Sequence, residues 1–467
     1  MDFLKDKRLD LIKAALGPDH QLYVVGGAVR DYLLKKESYP AKSAANKACD
    51  IDLACSLPAV ETLSLLQASG IRTVDVALQH STVLAVPVAE HPGIEITSLR
   101  ARTSDGSIVE GSSLEDDLSL RDFTLNSLAV CAWSGELKDP CNYRDDLNNR
   151  ILKASGDACQ RIEEDPLRMI RAARFSATHG FTISPLLFQA MREKALLIEK
   201  VSAERIRDEL SKILVAEDPS PAFQLLMDTG ILSLVLPEVA RLRGVEQNCY
   251  HKDDVFVHTM EVIKRSQAEL PLRLSALLHD ISKPETLSID SPEVIKTKSK
   301  STIRHFYCHE SLGAKKAKEI LKRLKFDKDT VSSVSNIVRH HMRPIECGQA
   351  GLRRILRDLN GDYEIWRKLK EADASSCATD PEIVAAQLTE FDQRVEALLA
   401  EPEVHKFSNL AVNGKDLMSL GFEAGRDLGD TLSKLHEVVI ENPVLNNKNA
   451  LLAKAKDILN SLANKNC

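Results

Sequence analysis

The residues best placed to do chemistry in this sequence are two aspartates flanking one apolar residue, Asp50-Ile51-Asp52. Alternate residues of a strand face the same side, so this spacing sets two carboxylates beside each other and turns Ile51 toward a core. Such a pair repels itself unless a cation joins it to a substrate. Mg²⁺ takes hard oxygen ligands and bridges carboxylates to phosphates, the arrangement used for in-line attack at phosphorus. A solvated loop pair is the ordinary alternative, and the residues upstream weigh against it. In VVGGAVRD, residues 24–31, Gly26 and Gly27 let the backbone approach a triphosphate, while Arg30 and the first N–H groups of a helix meet its charge. Taken alone, that turn would pass for packing punctuation between a strand and a helix. Glu95, in Ile94-Glu95-Ile96-Thr97, is a candidate third carboxylate for the same edge, although a half-exposed strand often carries such a residue toward solvent.

Two further segments carry groups suited to a nucleotide. Ser119 to Asn126, SLRDFTLN, clusters Arg121, Asp122 and Asn126: a cation, a carboxylate and an amide fit for phosphate, ribose hydroxyls or a base edge. In EDPLRMIRAAR, Asp165, Arg168, Arg171 and Arg174 recur every three residues and predict a slowly drifting stripe on one helix. Asp165 and Arg168 can meet Watson–Crick edges, and Arg171 and Arg174 can hold phosphates. A salt-bridged surface face is the plainer explanation of that stripe.

Seven of the thirteen histidines lie between residues 251 and 341: His251, His258, His279, His305, His309, His340 and His341. His258, on an apolar-periodic helix, and the His279-Asp280 pair are candidate ligands of a divalent metal that polarises water. His305 and His309, spaced as one helical turn, are further candidates, with His340 and His341 behind them. The same region holds a basic stretch, residues 296–328, with eleven Lys or Arg against three acidic residues, enough for a local phosphate-binding surface.

These groups need a sheet first and helices afterwards. Strands are expected over Gln21–Val25, Asp50–Ala54, Val83–Val88, Ile94–Leu99 and Leu128–Trp133, a helix over Ala28–Lys36, and a surface loop over 37–48. From about residue 158 the period is helical throughout. With 467 residues, 43% hydrophobic, 28% charged and only 4% aromatic, the chain reads as several soluble, helix-rich domains rather than a β-sandwich. A formal charge of −6 excludes binding of nucleic acid through global basicity and leaves only local patches. The ten cysteines form no CxxC pair, and neither a leader nor a membrane span is read, so a reduced, cytoplasmic protein is expected. Nothing in the sequence sets the oligomeric state.

Taken in order, the GGAVRD turn, the Asp50/Asp52 pair, RDFTLN and EDPLRMIRAARF resemble the class II CCA tRNA nucleotidyltransferase and poly(A) polymerase family, within the DNA polymerase beta superfamily. The resemblance implies an α+β protein: a small mixed-sheet nucleotidyltransferase head (1–138), then an all-α neck with a nucleotide-selecting helix (139–241), an HD-type domain (242–348) and a helical, RNA-binding tail (349–467). It implies addition of 3′-terminal CCA to tRNA from CTP and ATP, with Mg²⁺ on Asp50 and Asp52. Nucleotide binding would fall to Gly26, Gly27, Arg30, Arg121, Asp122, Asn126, Asp165, Arg168, Arg171 and Arg174. Ser202, Glu204, Arg205 and Glu209 resemble the neck motif that follows. His258, His279, Asp280 and His309 resemble the ligand set of an HD phosphohydrolase, which would add a second divalent metal; a degenerate HD fold without turnover is the alternative.

The departures from the pattern are a longer stretch from Arg30 to Asp50, Leu120 in place of an arginine, Asn142-Tyr143 in place of a glycine pair, and a short link, ARTSDGSIVEGSS, before Leu114. The short link points to CC-only addition. The same motifs leave room for A-only addition, for poly(A) polymerase activity and for a mainly hydrolytic RNA-end enzyme.

Overall fold

The computed structural model describes residues 1–36, 50–77, 81–88, 91–247, 254–289, 304–377, 381–400 and 410–463. They fall into two compact units: Met1–Ile213 with Pro221–Val235, and Leu214–Ser220 with the described residues from Leu236 onward. The expected loop over 37–48, His251 and the first part of the basic stretch lie outside the described residues.

The first unit is built on a seven-stranded mixed sheet. Its strands are β1 (Leu22–Val25), β2 (Asp52–Cys55), β3 (Arg72–Ala77), β4 (Thr82–Val86), β5 (Ile94–Ser98), β8 (Ala129–Cys131) and β9 (Leu137–Lys138), in the order β3-β4-β5-β2-β1-β8-β9. A separate hairpin pairs β6 (Arg100–Arg102) with β7 (Ile108–Glu110). Within the seven-stranded sheet only β2 and β5 run parallel. Alternation sets the register: Ile94 and Ile96 are buried while Glu95 between them is exposed, and Val25, Ala54, Leu99, Leu118 and Ala129 pack as one core cluster. The register places Asp52 opposite Val25 on one side and Glu95 on the other.

Three expectations shift. Strand β2 begins at Asp52, so Asp50 lies on the segment leading into it rather than on the strand. Edge strand β3, polar in Arg72, Thr73 and Asp75, escapes a search for apolar alternation. Strands also recur beyond the head, where Ile151–Leu152 pairs with Thr182–Ile183 and Leu287–Ile289 pairs with Arg304–Phe306. Asn142 adopts φ +56°, a conformation asparagine tolerates, so the residue standing where a glycine was expected takes a glycine-like backbone.

Past the head sheet, the first unit is helical. The Arg168–His179 helix buries Met169, Ile170, Ala172, Ala173 and Phe175 along one face and ends at Gly180, whose φ of +66° closes the helix through its N–H to Ser176 O. Asp165 is not on this helix. It caps the C-terminus of the preceding helix, Ala158–Glu164, in extended conformation, because the following Pro166 disfavours helical backbone at the residue before it. The stripe expected on one helix is therefore three arginines on the helix with a carboxylate ahead of it.

The second unit packs the helices Val255–Arg265, Leu270–Leu278, His309–Arg323, Lys328–His340 and Tyr363–Ser375 around apolar side chains that include the fully buried Trp366, whose indole N–H donates to His340 O. Asp254 and Asp327 accept from the backbone N–H groups of Val257 and Thr330 and so start two of these helices.

Candidate active site

At one end of the central strands of the head sheet, the turn after β1 meets three carboxylates, of Asp50, Asp52 and Glu95. Gly26 has φ +72°, and a Cβ built there would lie 3.3 Å from Asp52 Oδ2 and 3.7 Å from Arg121 Nη1. Glycine is needed here for its backbone and because the Asp52 carboxylate comes so close. Burial, then the charges of Asp50 and Glu95, push the Asp52 carboxyl up to about 6, and Arg121 offsets part of this. The three carboxylates named from the sequence thus act on one another, which is the situation a bound divalent cation relieves. Their oxygen-only donor set fits a hard ion such as Mg²⁺.

Arg121 is held by Asp117, fully buried beneath it: Arg121 Nη2 donates to Asp117 Oδ2 at 3.0 Å, and Arg100 Nε lies 3.4 Å from the other oxygen. Arg121 Nε is buried and has no hydrogen-bond partner among the described residues, a donor fit for a phosphate oxygen. Asp117 was not singled out in the sequence. Its position, four residues before Arg121 on a short helix, is the signal that could have found it.

Five of the remaining candidates, Arg30, Asn126, Asp122, Arg171 and Arg174, are joined in one polar chain. Arg30, 8% exposed, donates through Nη1 to Asn126 Oδ1 at 2.9 Å, and Asn126 Nδ2 donates to Asp122 Oδ1 at 2.9 Å. Asp122 Oδ2 accepts from Arg171 Nε at 3.0 Å and Nη2 at 2.6 Å. Arg171 and Arg174 both reach Glu209, Arg174 through a 2.6 Å hydrogen bond, and the guanidinium groups of Arg30 and Arg174 lie over the Phe175 ring. Burial alone would raise the Asp122 carboxyl, but Arg171 and Asn126 outweigh it and hold it below its usual value. These residues therefore orient one another.

Asp165 and Arg168 lie outside this chain. Arg205 Nη2 donates to Asp165 Oδ2 at 2.8 Å, and Arg168 Nη1 donates to Arg161 O at 2.8 Å and to Glu164 Oε2 at 3.1 Å. Each is steadied by its own partners, and among the described residues Asp165 Oδ1 accepts a local backbone N–H, from Leu167.

The second unit gathers a buried cluster. Asp280 stands at its centre: its Oδ2 is 3.0 Å from His279 Nε2, 3.8 Å from His258 Nε2 and 2.6 Å from Lys283 Nζ, and its Oδ1 is 3.4 Å from His309 Nε2 and 3.8 Å from His341 Nε2. Asp373 joins from the Tyr363–Ser375 helix, 3.1 Å from His258 Nε2 and 3.9 Å from His279 Nε2. The four ligand candidates named from the sequence, His258, His279, Asp280 and His309, come together. His341 and Asp373 complete the set from helices far along the chain. His305 is not among them: it belongs to a strand, opposite Ser288, and stacks on Tyr307, so its spacing to His309 is not a helical turn. His340 lines a separate surface concavity.

The imidazoles are oriented as metal ligands are. His279, His309 and His341 each place Nδ1 2.7–2.8 Å from a backbone carbonyl, of Ala276, Phe306 and Val338, which assigns a ring proton to Nδ1 and turns Nε2 inward. His309 Nε2 and His341 Nε2 face each other at 3.2 Å. Two lone pairs at that distance repel unless a proton or a cation lies between them. Burial, with His279 beside it, lowers His341 to about 3, so a proton on that ring is disfavoured. Burial would raise the Asp280 carboxyl, but His279 and Lys283 hold it well below its usual range.

A mixed sheet whose central strands carry a carboxylate cluster beside a Gly-Gly turn, with an arginine-bearing helix joined to it, defines a nucleotidyltransferase. Comparison with known proteins agrees. Residues 22–153 match the poly A polymerase head domain, 180–242 the "Probable RNA and SrmB-binding site of polymerase A", and 296–455 the tRNA nucleotidyltransferase domain 2. An A-adding tRNA nucleotidyltransferase of Deinococcus radiodurans is 33% identical over 339 residues, covering 70% of this chain and 75% of that protein. A CCA-adding enzyme of Streptococcus thermophilus is 30% identical over 458 residues, 95% of this chain and 94% of that one. The crystal structure of Bacillus stearothermophilus CCA-adding enzyme in complex with CTP aligns over the whole of both chains with a TM-score of 0.68 and 25% identity. The chain belongs to the class II tRNA nucleotidyltransferase family, alongside CCA-adding enzymes. No helix among the described residues is long and apolar enough to cross a membrane.

Proposed function

We propose that this protein adds the 3′-terminal CCA sequence to tRNA, using CTP and ATP and no nucleic-acid template. The observation that carries the reading is the crowding of Asp50, Asp52 and Glu95 against Gly26 and Arg121. In it, Asp50 and Asp52, with Glu95 beside them, hold Mg²⁺, which when bound lowers the pKa of the tRNA 3′-hydroxyl and balances charge on the triphosphate. Gly26 and Gly27 admit the triphosphate to the backbone, and Arg121 donates Nε to it. Arg30, Asn126, Asp122, Arg171 and Arg174 present an ordered cationic wall. The hydroxyl oxygen bonds to the α-phosphorus as the bond to pyrophosphate breaks.

Base selection falls to Asp165 and Arg168, whose carboxylate and guanidinium are the acceptor and donors that cytosine and adenine edges require. Asp165 is held by Arg205 and Arg168 by Glu164 and Arg161 O, so the pair is presented without being locked to itself. In the test, each nucleoside triphosphate is offered singly to a tRNA transcript lacking its end. The wild-type protein is expected to incorporate C and A and to refuse U and G. Arg168→Ala is expected to lower the kcat/KM ratio of CTP over UTP by about 10- to 100-fold, the worth of one bidentate base contact. An unchanged ratio would contradict the role given to Arg168.

A second reading, addition of A alone, is favoured by the similarity to the A-adding enzyme of Deinococcus radiodurans. The segment expected to be too short for the switch to ATP forms the β6–β7 hairpin. We retain the four-part division, with boundaries near 139, 242 and 349, as part of the proposal, and place the protein in the cytoplasm with its substrates. Lys315, Lys318, Lys322, Lys328 and Arg339 line one concavity that suits the backbone of folded RNA. The His/Asp cluster is assigned to an HD-type phosphohydrolase centre, in which Asp280 is shared between His258, His279 and Asp373 on one side and His309 and His341 on the other. Divalent metal bound there would supply a polarised water.

A further inference from the structure

We propose that Cys377 is a metal ligand, so that His258, Asp373 and Cys377 form a thiolate-containing half of the His/Asp cluster that selects a borderline-soft ion over Mg²⁺. The inference rests on the reading of that cluster as a metal centre. Cys377 lies one turn beyond Asp373, just past the end of the Tyr363–Ser375 helix, and its Sγ–H donates to Asp373 O at 3.4 Å. The ligand atoms of His258, Asp373 and Cys377 lie within 4.8 Å of one another, as those of His258, His279 and Asp280 do. A second observation points to an ion at the same place. His279 is 1% exposed, and its inward-turned Nε2, 3.0 Å from Asp280 Oδ2 and 3.9 Å from Asp373 Oδ1, is buried without a well-formed hydrogen bond among the described residues.

The two halves differ in chemistry. On the far side, Asp280 Oδ1, His309 and His341 offer one oxygen and two nitrogens. On the near side, the sulfur changes the preference: thiolate with imidazole suits Zn²⁺ or Co²⁺, whereas Mg²⁺ requires oxygen. Coordination exchanges the S–H bond for a sulfur–metal bond and releases the proton to solvent.

The test uses full-length, metal-free protein titrated with cobalt(II) chloride and followed by absorbance. Visible d–d bands report ion bound to the cluster, and a near-ultraviolet sulfur-to-cobalt charge-transfer band reports the thiolate. Wild-type protein is expected to show both, the charge-transfer band saturating at about one equivalent. Cys377→Ser, nearly isosteric and checked by circular dichroism for an unchanged fold, is expected to keep d–d bands, lose the charge-transfer band and bind Zn²⁺ at least about 10-fold more weakly. Visible bands without charge transfer in the wild type would overturn the role of Cys377 and leave the metal centre standing, as would a charge-transfer band that survives Cys377→Ser. Wild-type protein with no visible bands beyond those of cobalt(II) in buffer would overturn both.

Discussion

Asp52→Asn is expected to abolish nucleotide addition, with kcat falling at least about 10³-fold, while making the metal-free protein more heat-stable near neutral pH. The first effect follows from removing an anionic oxygen from the set that would hold Mg²⁺. The second follows from the carboxyl's own titration. Its value in the folded protein, about 6, lies above the ordinary 3.8. Between those values the folded state binds more protons than the unfolded state, so stability falls as pH rises through this window and the full penalty applies above it. A shift of this size has a ceiling near 3 kcal/mol, and because Asp52 is only partly buried, about 1–2 kcal/mol is expected, a few degrees in Tm. Asparagine carries no such penalty. Mg²⁺ should raise the Tm of the wild type more than that of the variant. Asp50→Ala should match the loss of addition without unfolding the protein. Retained turnover in either variant, or an Asp52→Asn protein less stable than wild type at neutral pH in chelator, would contradict the assignment.

Asp280→Asn is expected to act with the opposite sign. Asp280 is held well below its usual range, so its contribution to stability is present above the unfolded carboxylate pKa and is lost as pH falls. Removing its charge leaves Lys283 and His279 buried without their common partner, at a cost of about 3–5 kcal/mol in the metal-free protein. The same change replaces one of the two carboxylate oxygens through which Asp280 faces the two sides of the cluster. Phosphate release from RNA ends should fall by at least about 10²-fold, while CCA addition at a temperature where the variant is folded continues. Differential scanning calorimetry with chelator, followed by parallel assays of the two reactions, checks both parts. Hydrolysis that survives Asp280→Asn, or a variant as stable as the wild type, would contradict the reading.

Much of the head was legible in the sequence because its chemistry is contiguous. Gly26, Arg30, Asp52, Arg121, Asp122 and Asn126 each sit in a short segment whose residue types have few other uses together, and the fold brings those segments to one edge. What the sequence misstated came from local backbone effects. Pro166 splits Asp165 from the arginine helix, and the strand after Asp50 starts two residues late. What it left out came from long-range packing. Asp373 and Cys377 reach His258 from the end of a helix far along the chain, and no spacing rule marks an aspartate in EADASSC as a ligand. The expected turn from His305 to His309 failed because a strand residue and a helix start occupy those positions. Asp117, fully buried under Arg121 and Arg100, resembles an ordinary surface residue in LEDDLS until the sheet is in place.

The most direct measurement of the central claim is a product ladder. Purified protein with Mg²⁺ is given tRNA transcripts ending before, within and one nucleotide short of CCA, with CTP and ATP singly and together, and the products are resolved to one nucleotide. Addition of C, C and then A, each only with its own triphosphate, followed by a stop, is the predicted result. Products ending at CC, extension only of transcripts already ending in CC, or a continuing run of A would each contradict complete CCA addition by this chain.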